Sequence, residues 1–336
     1  MKVNAVTYFS REFLVQGVVS INSLLQVDPE CRVFVVCMDQ ASFNYLVKRF
    51  SDKDVSLFLV SEVIEFDLQF REILNSRSFF EALITLKPII LEYFLNQIEV
   101  EGWLIYFDAD VYFFRAISSR FELLDDSDLL LSEHLFPSNL KANLRYGKFN
   151  AGFLAIRNSK RGKEVVLEWK NLCLTDSSIN ATENVYGDQK YLERFENTLG
   201  VRTLKDPGVN NGQYYFQAQR KIKNVPKSKL TFIDDYTLIC FHFHGIRIGK
   251  NFISTGFNRY KKPHKAVKIL RFIYLPYINN ILHETSSLSK ALPNFFEEDT
   301  TRNDIDGNLH NLVSLLRFTI LPTILHKSKR VRKTPK

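Results

Sequence analysis

Two aspartates stand one residue apart in the run WLIYFDADVYFF (Trp103–Phe114), whose other members are almost all apolar. Buried carboxylates are costly unless a cation meets them. Asp108 and Asp110 fall where the strand-like WLIYF ends, and in extended backbone residues i and i+2 point to the same side. Two like charges aimed at one spot repel unless neutralised. Hard oxygen donors of this kind suit Mg2+ or Mn2+, ions that commonly bridge to phosphate oxygens. The competing reading has one Asp capping the following turn and the other solvated. A second cluster lies late in the chain, where FHFHG places His242 and His244 at i and i+2 beside Gly245. A third, YGDQKYL, sets Asp188 and Gln189 at the start of a helical stretch, and there Asp188 serves equally well as an N-cap. Lys87, directly before Pro88, either meets an anion or snorkels out of its helix.

These residues need a frame. KVNAVTYF reads as a strand, FLVQGVVSINSLLQV as a helix, RVFVVCMD as a buried parallel strand, and VSLFLV as a further strand. FFEALITLKPIILEYFLNQI reads as a long helix interrupted or kinked at Pro88. The first 110 residues therefore alternate strand and helix. That pattern predicts an α/β fold with an open, mainly parallel sheet and helices on both faces. Ligands in such sheets sit beyond the carboxyl ends of the strands, where Asp108 and Asp110 fall. DLLLSEH and FNAGFLAIRN read as two more strands, KRGKEVVLEWKNLCL as a helix, and TLICFHFHG as a late strand. Residues 1–256 form the expected catalytic domain, and 257–336 a basic, helical C-terminal extension.

The 336-residue chain is 45% hydrophobic and 24% charged, which is ordinary for a globular protein. No stretch approaches the ~18 apolar residues of a membrane span. The N-terminus reads as a first strand and not as a leader. Cys31, Cys37, Cys173 and Cys240 lack CxxC spacing and lie in apolar runs, as expected of reduced thiols in a cytoplasmic protein. The net charge of +8 is uneven: between Pro207 and His283 the only acids are Asp234 and Asp235. Such a face is either simply solvated or built for phosphates, whether of nucleotide or lipid. Aromatic RNA-binding signatures are absent, and nucleic acid is not an expected partner.

YFDADVYFF resembles the DxD motif of GT-A-fold glycosyltransferases, and most closely that of family 8 and related bacterial polysaccharide enzymes. TYFSREFLVQGVVSINSLL, SRSFFEALITLKPIILEYFL, FNAGFLAIRN, YGDQKYL, DPGVNNG and FHFHG resemble further family segments in the same order, from about residue 3 to residue 250. The resemblance implies a nucleotide-diphospho-sugar donor, with UDP favoured, and Mn2+ or Mg2+. It implies metal ligands among Asp108, Asp110 and His242, with His244 as the alternative. It implies donor contacts from Thr7, Tyr8, Lys87, Asp108, Asn150, Gly152, Asn210, Gly245, Arg247 and Lys250. It implies catalytic roles for Asp188 and Gln189, beside the anomeric carbon. One position departs from the pattern: Ile248 stands where the family usually has a diphosphate-gripping lysine, with Arg247 and Lys250 on either side.

The implied reaction moves a sugar to a hydroxyl of a glycan or lipid-linked glycan, with retention of configuration, in bacterial polysaccharide or lipopolysaccharide synthesis. NLVSLLRFTILPTIL and the tail after it, with Lys327, Lys329, Arg330, Arg332 and Lys333, suit an anionic membrane surface. The same segment also reads as an ordinary packed helix with a loose tail. A haloacid-dehalogenase-like phosphatase also carries DxD after a strand, but prefers Thr or Val where Tyr112 stands. A non-enzymatic nucleotide-sugar or nucleic-acid binding module is the remaining alternative.

Overall fold

The computed structural model describes residues 3–117, 127–226, 230–249, 252–255, 266–293 and 295–296. Its centre is a seven-stranded sheet in the order β3-β2-β1-β4-β7-β6-β8. The strands are β1 (Val3–Phe9), β2 (Arg32–Cys37), β3 (Val55–Leu59), β4 (Trp103–Phe107), β6 (Leu129–Glu133), β7 (Phe149–Arg157) and β8 (Val201–Leu204). Pairing is parallel from β3 through β2 and β1 to β4, and again between β6 and β8; only β7 runs against its neighbours. This is the mixed, mainly parallel α/β sheet that the strand–helix alternation predicts. Every residue of β4 is buried, as an apolar strand in mid-sheet must be, and each large side chain so buried contributes about 1.5–3 kcal/mol.

Each face of the sheet carries its own core. On one face lies α1 (Leu14–Val27), which is buried almost all round. Against α1 packs α8 (Leu275–Ala291), which continues from α7 (Ala266–Ile269) and a π-helical Leu270–Tyr274. Ile269, Ile273, Tyr274, Tyr277, Ile281 and Leu288 belong to this same core. Glu284 pins α8 to α2 (Gln40–Arg49), through Arg49 at 3.0 Å and the Tyr45 hydroxyl at 2.7 Å. The other face holds α3 (Val60–Phe66), α4 (Leu68–Ile73), α5 (Phe79–Leu95) and α6 (Lys160–Thr175). Lys170 on α6 ties them together, reaching Asp67 at 2.9 Å and Glu92 at 2.7 Å.

Helix α5 starts with a capping box, in which Ser78 Oγ accepts from Glu81 N–H and the Glu81 carboxylate accepts from Ser78 N–H. It continues through Pro88 as one helix and is not interrupted there. The missing N–H costs one backbone bond, and burial of Leu86, Ile89, Ile90 and Leu91 around it outweighs that loss. Among the described residues, no helix is long and apolar enough to cross a membrane. All four cysteines are buried free thiols. The segment NLVSLLRFTILPTIL and the basic tail lie outside the described residues.

Candidate active site

The DxD segment follows the end of β4, as expected, but it is a turn and not extended backbone. β4 stops at Phe107, and Val111 N–H donates to the Asp108 carbonyl (3.0 Å) before β5 (Val111–Phe113) begins. The extended-backbone argument for a shared side therefore fails, yet the carboxylates still converge. Ser23 Oγ on α1 accepts from Phe113 N–H at 3.0 Å, and Ser20 Oγ donates to the Val111 carbonyl, so helix hydroxyls anchor the strand leaving the turn. β5 pairs antiparallel with β12 (Cys240–His242), placing His242 opposite Val111. The imidazole thus arrives beside the turn. His242 Nε2 lies 3.1 Å from Asp110 Oδ1 and 3.7 Å from Asp108 Oδ2.

One donor atom from each of Asp108, Asp110 and His242 falls within 4.8 Å of the other two. Donors about 2.1 Å from a common octahedral ion sit about 3–4 Å from one another, so the three fit a divalent cation. Two carboxylates and an imidazole are a donor set that divalent cations accept. His242 Nδ1 is buried without a hydrogen-bond partner. Gly152 makes room for the ring: a Cβ there would lie 2.4 Å from His242 Cε1 and 3.0 Å from Asp108 Oδ2. Burial alone would push His242 toward the neutral form, but Asp110 and then Asp108 outweigh it and raise its pKa. Burial likewise favours the neutral form of Asp110, and His242 beside it reverses this, so its pKa is lowered. His242 and Asp110 thus each favour the charged form of the other. The His244 ring lies 5.8 Å from that of His242, beside Tyr214, and stands outside the three-residue group.

Lys87 projects from α5 into the opposite side of the site. Its Nζ is 2.9 Å from Asp188 Oδ2, 3.7 Å from Asp108 Oδ1, and donates to the Ala151 carbonyl at 3.1 Å. It is buried and does not snorkel. Burial disfavours its charge, but Asp108 and Asp188 overcome this and raise its pKa. Asp188 is buried too, and burial raises its pKa despite the pull of Lys87. Asp188 is not the N-cap of the short 3-10 helix Lys190–Phe195: Gln189 occupies that place, and no side chain caps it. The buried pair with Lys87 claims Asp188 instead. Gln189 bridges two elements, accepting from Ala151 N–H (3.2 Å) and donating to the Tyr146 carbonyl (2.8 Å).

The asparagines serve the frame. Asn150 Oδ1 accepts from Gly152 N–H, and its Nδ2 donates to the Asn210 carbonyl. Asn210 Nδ2 donates to Ser132 Oγ and the Asn150 carbonyl. Asn210 adopts φ 53°, the left-handed region that Asn tolerates. Its N–H donates to the Cys240 carbonyl, joining this network to β12. Thr7 and Tyr8 lie near the end of β1; Thr7 Oγ1 is buried without a hydrogen-bond partner, while the Tyr8 hydroxyl donates to the Leu83 carbonyl. Gly245 takes φ 80° in the turn after His244, a conformation suited to glycine. Arg247 is exposed on a short strand, and Lys250 lies outside the described residues. Sequence reasoning missed Tyr106, whose hydroxyl donates to Asp108 Oδ1; its place two residues before Asp108 in an alternating strand was the available signal.

The sequence pattern of the nucleotide-diphospho-sugar transferases matches residues 31–243. YfnF of Bacillus subtilis (strain 168) is 30% identical over 291 residues, covering 83% of this chain and 90% of YfnF. YfnD of the same organism is 26% identical over 295 residues, covering 86% and 92%. Among solved structures, the galactosyltransferase LgtC in complex with donor and acceptor sugar analogs aligns at 17% identity with a TM-score of 0.47, over 72% of this chain and 87% of LgtC.

Proposed function

The chain belongs to the nucleotide-diphospho-sugar transferase family and is a glycosyltransferase, and from that premise we propose a metal-dependent transfer from a UDP-sugar to a glycan hydroxyl. The convergence of Asp108, Asp110 and His242 carries this reading. These three residues would hold Mn2+ or Mg2+, which when bound supplies positive charge for the departing diphosphate. Asp188, with Lys87 as its counter-ion, accepts hydrogen bonds from donor-sugar hydroxyls. Gln189 and the Ala151–Gly152 backbone line the same sugar. Tyr8 and Thr7 flank the nucleoside, and Arg247 and Lys250 meet the diphosphate. The bond between the anomeric carbon and the diphosphate oxygen breaks as the acceptor oxygen bonds to that carbon. The acceptor proton passes to the released diphosphate, and configuration is retained.

The acceptor is a glycan or lipid-linked glycan of a bacterial cell-surface polysaccharide, met in the cytoplasm at an anionic membrane face through the basic C-terminal segment. Support for that location comes from charge in the sequence. The test incubates the full chain with UDP-, GDP- and CMP-sugars plus Mn2+, Mg2+ or EDTA, and measures released nucleotide. Metal-dependent release from one donor, absent in Asp110→Asn, is the expected result. No release and no calorimetric donor binding would sink the proposal.

A further inference from the structure

The two oxygens of Asp108 keep different company. Oδ2 faces His242 Nε2 at 3.7 Å. Oδ1 accepts the hydroxyl of Tyr106 and lies 3.7 Å from Lys87 Nζ. The Asp108 side chain is 31% exposed, so packing alone does not fix its carboxylate plane, and the last torsion of an aspartate is broad. Tyr106 is different. It is 1% exposed in β4. Its ring is held with the Lys87 ammonium 4.8 Å from its centroid and the Tyr8 ring 5.8 Å away. A ring so packed delivers its O–H in one fixed direction. Lys87, by contrast, supplies charge at 3.7 Å without a hydrogen bond's directionality.

We propose that Tyr106 is a positioning residue for the metal site: its hydroxyl holds Asp108 Oδ1, and so leaves Oδ2 turned toward the cation. This rests on the cation reading given under the proposed function. A hydrogen bond to a ligating carboxylate orients that ligand before the metal arrives. Without it, Asp108 is free to turn toward Lys87 with both oxygens, and the ammonium competes with the cation for the same carboxylate. The Tyr106 hydroxyl settles that competition, because it occupies the oxygen nearer Lys87.

The test is direct Mn2+ titration of the donor-free full chain, read by electron paramagnetic resonance of free Mn2+. Tyr106→Phe keeps the ring and removes only the hydroxyl. We expect its Kd for Mn2+ to rise about tenfold, as loss of a partner that orients a ligand typically does, while the melting temperature moves no more than in Tyr191→Phe. Tyr191 is a buried tyrosine whose hydroxyl donates to the Asp176 carbonyl and not to a proposed metal ligand. In an Asp108→Ala background the Tyr106→Phe change should have no further effect on Mn2+ affinity, which a merely structural hydroxyl does not predict. In turnover, the Mn2+ concentration for half-maximal rate should rise with little change in the saturated rate. Wild-type affinity in Tyr106→Phe, the same loss with Asp108 absent, or failure of Tyr106→Phe to fold overturns the assignment. A wild-type chain that binds no Mn2+ overturns the cation reading itself, and this inference with it.

Discussion

Lys87 Nζ and Asp188 Oδ2 lie 2.9 Å apart, with both side chains 8% exposed. A pair so sheltered is strongly interdependent: removing one partner leaves a charge with nothing adequate to face. Lys87→Met should therefore destabilise the protein by about 3–5 kcal/mol, read as a lowered urea midpoint. Asp188→Asn keeps a hydrogen-bond acceptor for the ammonium, and Asp108 still balances its charge. It should cost less stability, yet abolish most sugar transfer. Equal stability loss in both variants would contradict this account of the pair.

Asp110 has a smaller share of solvent than Asp108, 13% against 31% by side chain, and the shorter contact with His242. Asp110→Asn should reduce nucleotide release by at least about 100-fold, the scale expected when charge stabilisation at a leaving group is lost. Its far-UV circular dichroism should be unchanged. Nucleotide release by this variant at the wild-type rate would remove Asp110 from the site.

Metal binding should depend on pH through His242. Its pKa is raised, so the metal-free imidazole keeps its proton to a higher pH than a free one, and a ligating imidazole must lose it. Lowering the pH through that raised value should weaken Mn2+ binding by up to about tenfold per pH unit. At higher pH the affinity should level off. Calorimetry in buffers of different ionisation enthalpy should report protons released on binding. His242→Gln should weaken binding and flatten the profile, and a pH-independent wild type would contradict the assignment.

Gly152→Ala tests the packing behind His242, the proposed metal-ligating histidine. The new methyl would sit 2.4 Å from His242 Cε1 and 2.5 Å from Nδ1, and the ring must move away. Mn2+ affinity should fall more than tenfold, in line with a misplaced ligand. Binding equal to wild type would mean that the ring adjusts without leaving the carboxylates.

His134 links stability to acid. Burial lowers its pKa to about 3, and its ring stacks 4.6 Å from Phe136. The unfolded chain takes up the proton near pH 6.5 while the folded one resists it, so His134 makes folding less favourable as pH falls from about 6.5 toward 3. The full effect is at most about 5 kcal/mol, from the same two values. His134→Phe should keep the stack and flatten this part of the urea-midpoint profile. The Lys148 carbonyl keeps a partner in the backbone N–H of residue 134.

The parallel half of the sheet was legible because buried parallel strands are unbroken apolar runs: RVFVVC and WLIYF declare themselves. Extended backbone predicts that Asp108 and Asp110 face one spot, yet a turn brings them together, and their spacing does not encode it. His242 was legible as a histidine at a strand end. Its place beside Val111 depends on strand pairing between distant parts of the chain, which local pattern does not encode. Lys87 shows the same limit. A lysine in an apolar helix reads as snorkelling until Asp108 and Asp188 are seen to meet it. Asp188, conversely, reads as an N-cap in the sequence, but Gln189 takes that place and Asp188 pairs with the distant ammonium.

The pairing of β5 with β12 also sets an order of assembly. The strands that build the parallel half and the DxD turn leave the ribosome well before His242. Closing so long a loop is entropically slow compared with forming neighbouring strand–helix units. A nascent chain ending before Cys240 can therefore contain most of the sheet while holding only two of the three proposed metal ligands. The proposed metal centre is finished late in synthesis, so a truncated product could keep much of the scaffold and still be catalytically silent.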